Sequence, residues 1–323
     1  MAENKRFFYG WLILLTCILI MGLGYAPLVS CASLFTKPVT EDLGFTRSGY
    51  ALVSTIAALM MAFMSPFIGK IMSKPYMHKA LVVCMIGNCL AYYCYSFAST
   101  LPQFYVTAAC IGFFECGSTM IPVSVLITNW FRKKRGLVMS IAMVGSSIGG
   151  TILSPIIGNL IASQGWRFTY KAVGITRLVI LVPLVLLVIR RTPADMGTKA
   201  YGADEEGETG KARKTEREWN VSLKEVKKKP MFWCFVLGCT LISATAAVIT
   251  QIPASVMDAG YATTTAASIA SLYLFIAIPG KLVLGHIYDR YGVKAGILFG
   301  NTMFFLSVIC LIFIKHQPFL YLM

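Results

Sequence analysis

Three ionisable side chains stand deep inside apolar stretches of this sequence: Glu115 in "TAACIGFFECGSTMIPV", Arg177 in "KAVGITRLVILVPLV" and Lys281 in "FIAIPGKLVLGH". An ionised group surrounded by hydrocarbon is expensive, so each of the three is a candidate for function. Glu115 shares its helical face with Gly112, Ser118, Thr119 and Pro122, which points it at protein or a cavity rather than at lipid. At 1.5 Å per residue, Glu115 lies roughly 18 Å and Arg177 roughly 13 Å from the outer ends of their runs. That similar depth leaves two readings open: an ion pair between them, or a proton-coupling carboxyl at Glu115. Lys281 has Ala277 and Gly285 on its face, which turns it into a bundle. It lies about 12 Å from the cytoplasmic end of its run, so the structural reading is a lysine stem that snorkels part of the way to the surface. A compact charged turn follows at Asp289, Arg290, Gly292 and Lys294, in "GHIYDRYGVK".

Groups at such depth need long apolar elements to hold them, and the chain supplies these. Of its 323 residues 57% are hydrophobic and only 13% charged, with mean hydropathy +0.69. A soluble domain carries about 25% charged residues, so the solvent of this chain is expected to be a bilayer. Candidate spans lie near Phe8–Phe35, Gly49–Ile71, Ala80–Ala98, Gln103–Phe131, Gly136–Ala162, Phe168–Ile189, Met231–Met257, Thr264–Tyr288 and Ala295–Ile314. Each is about 19 residues or longer, enough to cross roughly 30 Å of hydrocarbon as a helix. That predicts an all-α, multi-span bundle with nine spans, and "QPFLYLM" at 317–323 reads as the start of a tenth.

The net charge of +15 would suggest nucleic acid in a soluble protein. Here the basic residues cluster at the ends of apolar runs. With the N-terminus inside, the short inner segments hold eleven lysines and arginines (Lys5, Arg6, Lys70, Lys74, Lys79, Arg132, Lys133, Lys134, Arg135, Arg290 and Lys294) against five outside. This bias predicts a cytoplasmic N-terminus and accounts for the charge without a nucleic-acid partner. The first span is too long for a signal-peptide core and lacks a clear cleavage site. The ten cysteines all fall in spans without metal-ligand spacing, and read as small apolar residues with no disulfide framework and no metal site.

Residues 191–230 form the one long polar stretch, rich in both charges and too poor in apolar side chains to fold alone. It is expected to be a cytoplasmic tether between a six-helix half at 1–190 and a second half at 231–323, with "SLKEVKKKP" as a short interfacial helix. Internal symmetry supports two halves. At an offset of 216 residues, Asp42, Gly44 and Phe45 fall on Asp258, Gly260 and Tyr261, Gly69 falls on Gly285, and Lys74 on Arg290. Five matches in equivalent loops argue for a repeat. Two six-helix halves imply twelve spans, so the second half is expected to be incomplete.

The turn Gly285-x-x-x-Asp289-Arg290-x-Gly292-x-Lys294 resembles the loop signature of the major facilitator superfamily. Gly285 would permit close helix packing and Gly292 a tight turn, while Asp289 would face a neighbouring helix N-terminus. In that family the loop latches the two halves in one state of an alternating-access cycle. The first-half loop "GKIMSKPYMHK" departs from the pattern, with Ser73 at the aspartate position and Tyr76 at the second glycine.

The opening "FYGWLILLTCILIMGLGYAPLVSCASLFTKPVTEDLGFTRS" and the stretch "NWFRKKRGLVMSIAMVGSSIGG" are similar to the oxalate/formate antiporter and monocarboxylate transporter families. The resemblance covers essentially the whole chain. It implies carriage of a small carboxylate anion across the plasma membrane, by anion exchange or with a proton. It also implies that the eighth span bears a basic residue binding the substrate carboxylate. That residue is Lys281 here, where the resembled families carry arginine. A fourth span that lines the central cavity would favour Glu115 over Arg177 as the functional group. In the fifth span Gly145, Gly149, Gly150, Pro155 and Gly158 serve either close helix packing or a bend. No nucleophile–base motif, phosphate loop or cofactor fingerprint argues for an enzyme. Two other classes stay open: a transporter-like sensor that binds the anion without moving it, and an inactive truncated product.

Overall fold

The structure is a computed structural model that describes residues 8–202, 223–249 and 263–312. The expected spans in these segments are helices, and no strand forms among the described residues. We number them α1 (Gly10–Leu43), α2 (Arg47–Met72), α3 (Met77–Phe97), α4 (Leu101–Trp130), α5 (135–164), α6 (166–188), α7 (Pro230–Ile249), α8 (263–291) and α9 (293–312). Lys5, Arg6, Lys315, the 258–261 loop, the 317–323 tail and residues 203–222 of the charged tether lie outside the described residues.

Local chemistry sets the helix ends. The Thr46 side chain accepts the Gly49 N–H at 3.1 Å to start α2. Thr100 and Gln103 form a capping box at the start of α4. Gly44, with φ 67°, closes α1 in the left-handed conformation. Gly165 (φ 81°, ψ 165°) and Gly292 (φ 82°, ψ 177°) separate α5 from α6 and α8 from α9 in a region of backbone space that only glycine enters readily.

Two compact units form, Met1–Gly202 with Leu274–Phe299, and Ala203–Tyr273 with Gly300–Met323. The described part of the second contains a single helical turn at Leu223–Val226, α7, and residues 263–273 of α8 and 300–312 of α9.

The first unit carries large apolar side chains on its surface as well as in its core. Leu59, Phe63, Val106, Val179 and Leu187 are 63–72% exposed on its surface. Asn88, Glu115, Ser118, Thr119, Ser147, Thr169 and Arg177 are buried within it. Only an apolar solvent makes that arrangement favourable, because buried polar groups can then meet one another while the outer face meets lipid. Six described stretches are long and apolar enough to cross a membrane.

Close backbone contacts tie α1 to α5. A Cβ on Gly145 would stand 2.3 Å from the Ile18 carbonyl oxygen, and one on Gly149 would stand 2.2 Å from that of Gly22. These two glycines therefore serve packing, whereas Gly158 has no neighbour within 4 Å. Opposite α5, α1 winds into a π-helical turn at Ile20–Tyr25, and α4 breaks at Thr119 (φ −122°, ψ −99°).

Two features depart from expectation. Helix α1 continues past its apolar run to Leu43, because Phe35 and Val39 remain buried while Glu41 and Asp42 turn outward. Residues 190–202, most of them expected within the tether, are tied to the bundle. Trp130 Nε1 donates to the Arg190 carbonyl at 2.9 Å, and the Arg191 guanidinium donates to the Ser73 carbonyl at 2.8 Å. The Tyr201 N–H donates to the Trp130 carbonyl at 2.9 Å, and its ring packs among Phe8, Trp11 and Phe131.

Candidate functional site

Lys281, Gly285 and Asp289 sit on one face of α8, and that face runs antiparallel along α5. At the loop end, Asp289 accepts the Gly136 N–H at 2.9 Å and the Leu137 N–H at 2.8 Å. These belong to the first turn of α5, where backbone donors lack intrahelical partners and the helix dipole favours an anion. The close approach needs small residues on both sides. A Cβ at Gly285 would stand 2.2 Å from Ser140 Oγ, and one at Gly136 would stand 2.7 Å from the Asp289 carboxylate. Arg290 and Lys294 are exposed beside the turn, and the Arg290 guanidinium lies 5.5 Å from the Tyr291 ring. The first-half counterparts do none of this. Gly69 has nothing within 4 Å of its Cβ position, and the Ser73 hydroxyl donates to the Lys70 carbonyl of its own helix.

Two turns deeper, the half-buried Lys281 ammonium spends all three donors on α5. It donates to the Met143 carbonyl at 3.0 Å, to Ser146 Oγ at 2.9 Å and to Ser147 Oγ at 2.8 Å. Ser146 in turn donates to the Met143 carbonyl at 2.8 Å. The Ser147 hydroxyl accepts from Lys281, and its own hydrogen has no acceptor among the described residues. The result is a cation held by exchangeable hydroxyls, with a spare hydroxyl donor next to it. Chemically this suits the two oxygens of a carboxylate.

Glu115 and Arg177 occupy the interior of the same unit, 7% and 2% exposed. They make no direct ion pair. Arg177 instead donates through Nη2 to Asn88 Oδ1 and, at 2.9 Å, to the Gly24 carbonyl in the π turn of α1. Its guanidinium also stacks 4.9 Å from the Tyr92 ring. The Glu115 side chain has no hydrogen-bond partner among the described residues, and its backbone carbonyl takes the Thr119 hydroxyl at 2.9 Å.

Four participants were missed from sequence alone: Ser146, Ser147, Asn88 and Tyr92. Asn88 carried a signal, being a lone amide in "MIGNCLAYY". The two serines lie inside the quoted glycine-rich stretch, where only Gly145, Gly149, Gly150, Pro155 and Gly158 were singled out.

The comparisons with known proteins fit this architecture. Human monocarboxylate transporter 2 is 24% identical over 229 residues, covering 70% of this chain and 45% of that protein. The MFS-type transporter pytF of Aspergillus terreus is 26% identical over 209 residues, covering 64% and 62%. Chicken monocarboxylate transporter 4 is 26% identical over 170 residues, covering 51% and 35%. The chain thus spans about half the length of the relatives it matches. The profile of the Major Facilitator Superfamily matches residues 12–323, and the chain belongs to that superfamily as a multi-pass membrane protein.

Proposed function

We propose that the protein is a secondary active transporter rather than an enzyme, moving a small organic anion. The substrate is a monocarboxylate or small dicarboxylate such as formate, oxalate, lactate or pyruvate, carried by antiport or proton symport across the plasma membrane. The N-terminus is cytoplasmic, on the strength of the lysine and arginine bias. The monocarboxylate transporters among its relatives support the substrate class.

The observation that carries this reading is the Lys281 cluster. A lysine inside an apolar helix whose donors rest on two hydroxyls can exchange those hydroxyls for a carboxylate. Substrate then competes with α5 for Lys281, so anion binding and the α5–α8 contact are coupled. Asp289, with Gly285, Arg290, Gly292 and Lys294, forms the latch at the loop end of that contact. Glu115 is the candidate coupling group, with Arg177 as its cationic neighbour.

The test is thermal unfolding of the purified protein in detergent with formate, oxalate, lactate or pyruvate. At least one anion should raise the unfolding temperature of wild type and of Lys281→Arg, and none should raise that of Lys281→Gln. Equal protection of Lys281→Gln and wild type would place the anchor elsewhere.

A further inference from the structure

The interior of the six-helix bundle contains a second polar cluster that the anchor and latch do not use. Its members are Arg177 on α6, Asn88 and Tyr92 on α3, and the π turn of α1. All three side chains are 2% exposed or less. Asn88 and Tyr92 are four residues apart and share a helix face. Arg177 bonds to the first and stacks on the second.

The hydrogen-bond inventory is one-sided. Arg177 Nη2 is satisfied by Asn88 Oδ1 and the Gly24 carbonyl. Four buried polar atoms have no partner: Arg177 Nε, Arg177 Nη1, Asn88 Nδ2 and the Tyr92 hydroxyl. Between them they carry six donor hydrogens, and the two nitrogen-rich groups offer no further acceptor of their own. Buried donors without acceptors are rare in folded proteins and call for a missing partner. That partner must be acceptor-rich and small, and it must compensate a guanidinium held out of water. The π turn on one wall and the break at Thr119 near another are irregularities of the kind found at ligand sites.

We propose that Arg177, Asn88 and Tyr92 bind a small monovalent anion of halide size inside the N-terminal bundle, at a site separate from Lys281. The anion accepts from the Arg177 Nε and Nη1 edge, the Asn88 amide and the Tyr92 hydroxyl. Glu115 lies within electrostatic range of Arg177 without bonding to it, so when ionised it weakens the hold of the site on an anion. The alternative is a water that accepts from Arg177 and donates to Glu115, an arrangement indifferent to halide.

The experiment is thermal unfolding of the purified chain in chloride, bromide, formate or gluconate at fixed ionic strength. Chloride and bromide should raise the unfolding temperature with saturation, while gluconate, too large for the site, should not. Tyr92→Phe removes one donor and almost no volume, so it should raise the half-saturating halide concentration by about tenfold. Glu115→Gln should lower it. Arg177→Gln should abolish the response; should that variant fail to fold, bromide anomalous diffraction from wild type serves instead, with a peak expected beside Arg177 Nη1. Identical behaviour of halides and gluconate, or of wild type and Tyr92→Phe, overturns the proposal. A response to formate that halides do not share is the one expected of Lys281 alone, and it overturns the halide site while leaving the carboxylate anchor standing.

Discussion

Removing the Asp289 carboxylate should unlock the first turn of α5. Gly136 and Leu137 donate to Asp289 at 2.9 and 2.8 Å, and as first-turn amides they have no intrahelical acceptor. A hydrogen bond to a charged group nets about 1.5–3 kcal/mol, and the helix dipole adds about 0.3–1 kcal/mol at an exposed end. Asp289 is exposed, so water competes for the same donors, and about 1–2 kcal/mol for the whole contact is the appropriate scale. Such a loss corresponds to a factor of about 5–30 in an opening equilibrium. The assay is amide hydrogen exchange at Gly136 and Leu137, compared between wild type and Asp289→Ala. Exchange at these two amides should accelerate by that factor, with a smaller increase in Asp289→Asn, which keeps one acceptor oxygen. The start of α2, capped by Thr46, serves as an internal control and should not respond. Unchanged exchange at Gly136 and Leu137 in Asp289→Ala would refute the latch geometry.

Two further outcomes follow from packing. Gly149→Leu should lower the unfolding temperature in detergent, because its Cβ meets the Gly22 carbonyl oxygen at 2.2 Å and overpacking costs about 1–3 kcal/mol; Gly158→Ala, with open space around it, should leave it unchanged, and equal effects at the two sites would contradict the α1–α5 contact. Tyr201→Ala should speed limited proteolysis between residues 191 and 202 several-fold, because it removes ring contacts to Phe8, Trp11 and Phe131; a cleavage rate equal to wild type would show that the backbone bonds alone hold this segment.

The helices were legible because a bilayer imposes a length, and runs such as 47–72 or 135–164 announce themselves by hydropathy alone. The loop signature was legible for a similar reason: Gly285 and Gly292 have no substitute at a 2.2 Å approach and at φ 82° respectively. What hydropathy reports is the solvent, so it could not show that α1 continues to Leu43 after leaving the apolar run. Nor could it show the docking of 190–202, whose partners, among them Trp130, Ser73 and the rings around Tyr201, come from distant parts of the chain. The Glu115–Arg177 expectation compared depths along two helices. Depth says nothing about azimuth, and Arg177 turns its Nη2 to Asn88 and the Gly24 carbonyl instead. The partners of Lys281 were out of reach for the same reason, since the register of α8 against α5 is a tertiary fact.

That register resolves the cost of Lys281. A lysine at mid-helix depth costs about 2.5–3.5 kcal/mol on insertion scales. Three hydrogen bonds from an ammonium, each netting about 1.5–3 kcal/mol, are sufficient to offset it without any substrate. Lys281 therefore does not wait as an exposed charge for an anion to arrive. Snorkelling is not how it copes either, since Met143, Ser146 and Ser147 lie on α5 beyond its first two turns. On the proposed reading, an incoming carboxylate would have to outcompete neutral oxygens, and would do so by adding its own charge to the hydrogen bond. The selectivity of such a site is then a difference between two sets of oxygens around one cation. Neutral molecules with hydroxyls or carbonyls offer Lys281 nothing that α5 does not already provide, whereas a carboxylate offers more. The same exchange would free Ser146 and Ser147 from the ammonium and break the polar contacts that Lys281 makes with α5. The Gly285 and Asp289 contacts at the loop end would remain.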